Sequence, residues 1–563
     1  MYYPSGTSVA ALAVLASGCV YLYRLLIWYR VEQFKSYLRL EPHWFWGHLK
    51  WIGETLPSLP KGAHSDYSWQ ILRNKYAPDA PYLLFDMRPA LGTPLAVVFS
   101  HSVAEECSKP SKQFKYSLPK SYTNKRLAPV LGDLSMLTHE GESWKALRKR
   151  FNPGFAPAHL ITLLPTILDR TKRFLHRLDE RCETGEVFEL DDLCTTLTFD
   201  IIGAVALDVD FNSQRERQLQ HPIVSQYAKL IDLFAARSGA AANLTAPWVR
   251  WKQKMVAKRA DAEIKKVVAQ KFEELKAARS RGGTSIGRSV VQLALQDVEE
   301  LTPEILQYTA DQVKTFLFAG HDTTSTLLQW VFYNLSIHPR VREKLFAELD
   351  EVFGRGTSPD DVARQLMERG EDAVRKLQYT SAIIKETLRL YPPAGSARIV
   401  PEDEAFMVHD PKTGAELPLF GIVYLCHYII QRDESVYGPT ASKWVPERWV
   451  GNTNTWMEAD EPSAARQEGS AIPVSAWRPF ERGPRNCIGQ ELANIEARVI
   501  IACAARRYEF EKVGLGELQL DENGQPVLGE DGTLRLKSEM YSTHRITSKT
   551  VDGMKVRVRL AKT

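Results

Sequence analysis

The pattern of apolar and polar positions divides the chain near residue 30. From Thr7 to Tyr29 the sequence is mainly apolar and its one formal charge is Arg24. About 20 such residues cross a bilayer as a helix. This run just reaches that length, and Arg24 lies close enough to its end to snorkel toward the interface. Basic residues follow the run, at Arg24, Arg30, Lys35 and Arg39, and none precede it. A cleaved signal peptide has the opposite arrangement and ends in a small-residue site that is not clear here. The positive-inside rule therefore puts the long C-terminal part in the cytosol. Residues 1–30 are expected to be a single-pass membrane anchor and residues 31–61 a hinge, with the aromatic, proline-containing stretch Glu41 to Lys61 in it. Residues 62–563 read as one large, mainly helical unit.

The clearest helix in that unit is predicted over Pro303 to Ile337, with Thr302 as N-cap, Pro303 at the first helical position and Glu304 in the first turn. His338-Pro339 ends it. At 1.5 Å per residue it is roughly 50 Å long, enough to cross a whole core. Its apolar run around Phe316-Leu317-Phe318 is interrupted by Ala319, Gly320, Thr323 and Thr324, which are small or weak helix formers. A second helix is expected from Gln378 to Tyr391, stopped by Pro392-Pro393. A basic helix covers Ser143 to Arg150. Strands are few: Pro81 to Phe85, Leu95 to Phe99, Ile422 to Leu425 and Lys555 to Leu560. The polar stretches Gly354 to Arg369 and Gly451 to Gly469 read as surface insertions, and Asn523-Gly524 and Asp531-Gly532 as turns. The fold class is mainly α with small β-sheets.

Composition narrows the function. A formal net charge of +4 over 563 residues gives no argument for nucleic acid. Seven scattered cysteines, odd in number and with no C-x-x-C pair, fit neither a disulfide framework nor a structural zinc site. They suit a reducing compartment, and at least one can be kept for its chemistry.

That one is Cys487, in Phe480-Glu481-Arg482-Gly483-Pro484-Arg485-Asn486-Cys487-Ile488-Gly489, followed by a helical pattern from Glu491. A thiolate ligand needs backbone N–H groups aimed at its sulfur, and a loop opening onto a helix N-terminus supplies them. Gly483 and Gly489 would allow close approach of backbone and a porphyrin ring, and Arg485 could meet a ring carboxylate. A buried structural cysteine is the bland alternative. The segment resembles F-x-x-G-x-R-x-C-x-G, the haem-binding signature of the cytochrome P450 family. That resemblance implies a cytochrome P450 fold with the long central helix over the haem. It also implies haem b, with Cys487 as the proximal metal ligand feeding electron density to the iron.

Other segments carry the same resemblance. Ala319-Gly320-His321-Asp322-Thr323-Thr324 is similar to the family's oxygen-pocket motif. It implies catalytic roles for Gly320, which would leave space above the iron, for Asp322 as a proton relay and for Thr323 as a hydroxyl released from helix bonding. Ala319 stands where some fatty-acid hydroxylases of the superfamily carry an acidic residue esterified to haem, so no such bond is expected. Glu386 and Arg389 share a helix face and match E-x-x-R, and Pro446-Glu447-Arg448-Trp449 resembles P-E-R-F with Trp for Phe. Together they imply a buried triad of Glu386, Arg389 and Arg448 behind the haem. Trp144 and Arg148, a W-x-x-x-R match, join Arg398 and Arg485 as expected partners of the two haem propionates.

The implied reaction inserts one atom of dioxygen into a lipophilic organic substrate, with electrons from NADPH through a membrane-bound flavoprotein reductase at the endoplasmic reticulum. Lys145, Lys149 and Arg482 could attract that reductase's acidic surface. The overall look is similar to fungal members that oxidise secondary metabolites. A fatty-acid or alkane hydroxylase is the alternative, and a haem-thiolate isomerase or dehydratase that needs no dioxygen is a third reading, disfavoured by Asp322-Thr323. A non-catalytic haem-binding membrane protein would leave that pair unexplained. Expected pocket walls are Ser117 to Leu137, Gln220 to Ala236, the residues after Pro393, and Tyr541 to Thr547. Asn243-Leu244-Thr245 and Asn334-Leu335-Ser336 match the glycosylation pattern, and cytosolic sites would stay bare.

Overall fold

The computed structural model describes residues 6–235, 247–281, 289–450 and 472–561. The apolar N-terminal run forms a helix, Gly6–Arg30, of 25 residues. It is long and apolar enough to cross a membrane. Beyond it the chain is mainly helical, as expected. The central helix spans Pro303–Ile337, and the Thr302 hydroxyl accepts the Ile305 N–H at 3.3 Å. From Thr309 to Leu335 every residue is buried except Ala319, Gly320 and Thr323. The helix Leu190–Leu207 packs along it. The approach is close at Gly320, where a Cβ would come within 2.8 Å of Ile202. The Thr198 hydroxyl donates to the His321 carbonyl at 2.7 Å, tying the two helices at the same level.

Strands are short and form a separate layer. One sheet has the order Tyr82–Phe85, Leu95–Val98, Ile422–Leu425, Ser396–Ile399. Its middle pair is parallel and the outer pairs antiparallel. Tyr82 and Leu84 feed one apolar cluster and Leu83 and Phe85 another. That is why this strand is apolar without alternation: both sheet faces are buried. The C-terminal strand Lys555–Leu560 lies between Tyr508–Lys512 and Phe188–Glu189. A hairpin of Ser542–His544 and Ser548–Thr550 leans against the central helix.

Several expectations change. The stretch 354–369 is no surface insertion. Ser358 caps a helix, Pro359–Arg369, whose Val362 and Leu366 enter the main core. Two apolar residues four apart are enough to dock an otherwise polar helix. The segment 31–61 is not a loose hinge either. It folds onto the first sheet through His48, whose Nδ1 accepts the Asp86 N–H at 2.8 Å while Nε2 donates to the Leu40 carbonyl at 2.8 Å. Asn334 is buried, with its amide on the Trp330 carbonyl at 2.7 Å. It is closed to glycosylation in the folded chain whatever the topology. Asn243 and the stretch 451–469 lie outside the described residues. Gly524 and Gly532 do occupy left-handed turns, at φ 74° and 79°.

Replacing Leu366 by Ala should lower stability by about 2–5 kcal/mol, the range for truncating a core leucine. Denaturant titration of the full chain in detergent measures it. A change below about 0.5 kcal/mol is what a surface site would give.

Candidate active site

The cysteine loop ends at Gly489, and the helix Gln490–Ala504 begins there. Inside the loop the Cys487 N–H donates to the Phe480 carbonyl at 2.8 Å and the Asn486 N–H to the Gly483 carbonyl at 3.1 Å. Cys487 is exposed at the loop surface, and the protein atoms packed around it still exclude enough water to push its thiol up. The N–H of Gly489, the charges of Arg148 and Lys120 and the N–H of Gln490 all favour its thiolate. These are the donors that a loop opening onto a helix supplies. Gly483 is required for a reason other than the expected one. It sits at φ 71°, and a Cβ there would lie 2.1 Å from the Ser108 carbonyl oxygen. Its smallness serves loop packing. At Gly489 a Cβ would make only ordinary contact with the Cys487 sulfur, at 3.9 Å.

Cations gather around this loop. Arg485 is buried, lies 4.7 Å from the centre of the Trp144 ring, and pairs with Glu140 at 2.7 Å. Burial brings its guanidinium down to about 10. Arg398 is fully buried and donates to the Ser117 hydroxyl at 2.8 Å, while its Nε and Nη2 make no hydrogen bond. Glu481 is the nearest acid to Nη2, at 3.4 Å. Lys120 lies in the expected wall Ser117 to Leu137 but is not among the expected propionate partners. Its ammonium is brought down to about 7 by burial and then by the charge of Arg398, and it reaches the Ser396 hydroxyl at 3.1 Å. Arg148 is drawn elsewhere, donating to the Asn486 carbonyl at 2.7 Å, the Asn486 side chain at 2.9 Å and Asn152 at 2.8 Å. It braces the residue before Cys487. Arg482 is held by Glu105 at 2.9 Å, whereas Lys145 and Lys149 are exposed.

Ala319, Gly320 and Thr323 form one partly open face of the central helix, spaced i, i+1, i+4. The Gly320 hydrogen points at Ile202, so its smallness answers helix packing, and the open face rests on its backbone and neighbours. Thr323 donates to the Ala319 carbonyl at 2.8 Å and is therefore in ordinary helix bonding here. Asp322 is buried and turned toward the C-terminal hairpin. Lys549 lies 2.8 Å from one carboxylate oxygen, and the Thr547 hydroxyl donates to the other. Burial opposes ionisation, but Lys549, His321 and the Thr547 hydroxyl together outweigh it and hold Asp322 below its ordinary range. Lys549 also bonds Asp191 at 2.8 Å, and Asp191 is only half-buried. Thus Thr547, at one end of an expected pocket wall, instead anchors the acid.

The two sides meet through Glu496, nine residues after Cys487. Its carboxyl accepts from Thr324 and is pushed up to about 8 by burial. Farther back, Glu386 is fully buried and accepts from Arg389 twice at 2.8 Å, from Arg448 at 3.0 Å, from Trp449 at 2.9 Å and from the Val445 N–H at 2.9 Å. The three expected charges do converge. Trp449 adds an indole N–H that a phenylalanine could not give.

A family model described as Cytochrome P450 matches residues 39–533. The chain belongs to the cytochrome P450 family. It is 35% identical over 395 residues to cytochrome P450 monooxygenase acrF of Aspergillus aculeatus, covering 68% of this chain and 76% of that one. It is 27% identical over 475 residues to cytochrome P450 monooxygenase polC of Polytolypa hystricis, covering 83% and 80%. With mouse cytochrome P450 4V2 the identity is 28% over 458 residues, covering 76% and 79%. The protein is accordingly an enzyme of the cytochrome P450 monooxygenase class, and its cofactor is a haem whose iron takes a cysteine thiolate. The donor set fits that group. Arg398 has buried donors without partners, Lys120 is desolvated beside like charge, and a dianionic ring edge would satisfy both.

Glu496 carries a pH prediction. Unfolded, its carboxyl ionises near 4.5, and folded near 8. The folded chain therefore holds the extra proton between those values, and stability falls as pH rises through that window. Glu496→Gln should flatten this dependence, with an advantage over wild type on the order of a few kcal/mol by about pH 9. Thermal midpoints measured across pH check this, and parallel curves for the two proteins would rule it out.

Proposed function

We propose that this enzyme is a membrane-anchored, cytosol-facing monooxygenase of the endoplasmic reticulum in which Cys487 ligates the haem iron. Its electrons come from NADPH through a flavoprotein reductase. The observation that carries the reading is the setting of Cys487, a lone thiol facing the N–H groups of Gly489 and Gln490 with two cations nearby. When bound, the haem supplies the activation of dioxygen that puts one oxygen atom into the substrate and the other into water. The chain does the rest. Lys120, Arg398 and Arg485, beside Trp144, hold the two ring carboxylates, and Phe480 fixes the cysteine backbone. Arg148 sets the loop through Asn486.

Proton supply falls to Thr323 and Asp322. The Thr323 hydroxyl can swing from the Ala319 carbonyl toward the open face. Asp322 stays ionised against Lys549, and Lys549 reaches half-buried Asp191, so a series of polar groups leads outward. The substrate is a lipophilic molecule, and similarity to fungal enzymes of secondary metabolism favours a step in such a pathway. Exposed Lys145 and Lys149 suit an acidic reductase surface, whereas Arg482 is already neutralised by Glu105.

Cys487→Ala should abolish turnover and the characteristic spectrum of the reduced carbon monoxide complex. Thr323→Ala should keep that spectrum but consume NADPH without matching product, and full coupling in that variant would exclude the hydroxyl's role. Lys120→Gln should speed haem loss to an acceptor protein by about 10–100-fold, the worth of one charge-assisted bond of about 1.5–3 kcal/mol. An unchanged rate would remove Lys120 from the haem edge.

A further inference from the structure

Glu481, in the cysteine loop, is at φ 59°, in the left-handed region that favours glycine. A long side chain persists in that region only where its surroundings over-determine it. Here they do. The side chain is 8% exposed, and its Oε1 accepts from Arg478 at 2.7 Å, from the Ser108 hydroxyl at 3.0 Å and from the Arg482 N–H at 3.1 Å. Arg478 is itself buried and donates to the Ser108 hydroxyl at 2.7 Å. Gly483, two residues on, already lets the loop close against the Ser108 carbonyl, so that contact does not call for an acid.

The second carboxylate oxygen is the informative one. Among the described residues Oε2 is buried and accepts no hydrogen bond. It faces Arg398 Nη2 at 3.4 Å and His427 Nε2 at 4.0 Å. Arg398 Nη1 is taken by the Ser117 hydroxyl at 2.8 Å and the Leu118 carbonyl at 3.2 Å. The guanidinium is therefore held by the wall on one side and by the charge of Glu481 on the other, with Nε and Nη2 left over. His427 adds no charge. Burial brings its ring down to about 4, and its Nδ1 donates to the Ala394 carbonyl at 2.9 Å. Four cations meet on this side of the loop: Arg398, Arg478, Arg485 and Lys120. Arg485 is paired with Glu140 and Arg478 with Glu481, each at 2.7 Å. Arg398 and Lys120 remain, two positive charges for a ring edge that carries two carboxylates. Without Glu481, three would face that edge. Lys120 depends on the same acid: burial and then Arg398 lower its ammonium, and Glu481 is the first group to work against them.

We propose that Glu481 is a positioning residue for the haem: it steadies Arg398 toward the ring carboxylates, trims the cationic site to the charge of that edge, and so keeps the reduction potential of the iron below the value the cations alone would set. This rests on the reading that Cys487 ligates the haem. Reduction adds an electron, so a positive charge left uncompensated nearby favours the reduced state. A unit charge roughly 10 Å from a redox centre, at an effective dielectric of about 20, shifts such an equilibrium on the order of tenfold.

The test uses the full-length, haem-loaded protein and two variants. Glu481→Gln keeps the shape of the side chain and removes its charge. Glu481→Gly removes the charge and suits the left-handed backbone, so it folds even if the first variant does not. Both should retain the spectrum of the reduced carbon monoxide complex. At a potential fixed by a redox dye, both should raise the ratio of ferrous to ferric protein about tenfold, equivalent to about 59 mV for one electron. Both should also move the propionate bending bands in the resonance Raman spectrum of the ferric protein, which a loop brace remote from the ring would leave in place. An unchanged ratio in the two variants overturns the proposal. So does a shift in Glu481→Gly with none in Glu481→Gln, which would trace to the backbone and not to the charge. A wild type whose carbon monoxide spectrum lacks the thiolate signature removes the Cys487 reading itself, and the role of Glu481 with it.

Discussion

A charge taken out of water has to find a partner, and around the cysteine loop that requirement organises the molecule. Several buried acids are matched by cations: Glu386 by Arg389 on its own helix and by Arg448 from farther along the chain, Asp322 by Lys549 from the C-terminal hairpin, and Glu481 by Arg478 three residues before it. Losing one member of such a pair costs about 3–5 kcal/mol, so the pairs hold the loop, the central helix and the C-terminal hairpin in register. Lys120 and Arg398 are the exception, because Glu481, already paired with Arg478, is the acid they share. They sit where an anionic ring edge would complete the balance.

The central helix works under a second constraint. It is buried along nearly its whole length, so polar residues in it must either pair or face an open volume. Asp322 does the first and Thr323 is placed for the second. Adjacent residues on a helix point about 100° apart, which separates the acid, fixed to the hairpin, from the hydroxyl beside the open face. Glu496 ties the helix after Cys487 to Thr324 on the central helix.

Small residues at the site prove to be about packing as much as chemistry. Gly320 admits Ile202 and Gly483 admits the Ser108 carbonyl. In the sequence both suggest room for a ring or for bound dioxygen, because a sequence shows that a side chain is missing and never which neighbour takes its place. The same blindness applies to Arg148, whose spacing from Trp144 suggested a propionate but whose donors go to Asn486.

The sequence by itself determined the family, the cysteine motif, the apolar N-terminal run, the central helix with its cap, and the Glu386–Arg389 pair. Each of these is written in contiguous residues or in a helical spacing of three or four, so local periodicity and motif order suffice. Tertiary structure decided what lies across the chain. Lys549 reaches Asp322 from 227 positions away, Lys120 joins Arg398 through an isolated strand bridge, and Leu366 enters the core from a stretch that is otherwise polar. A lone lysine or leucine carries no local signal of its partner, because pairing and burial depend on which surfaces meet once the chain has folded.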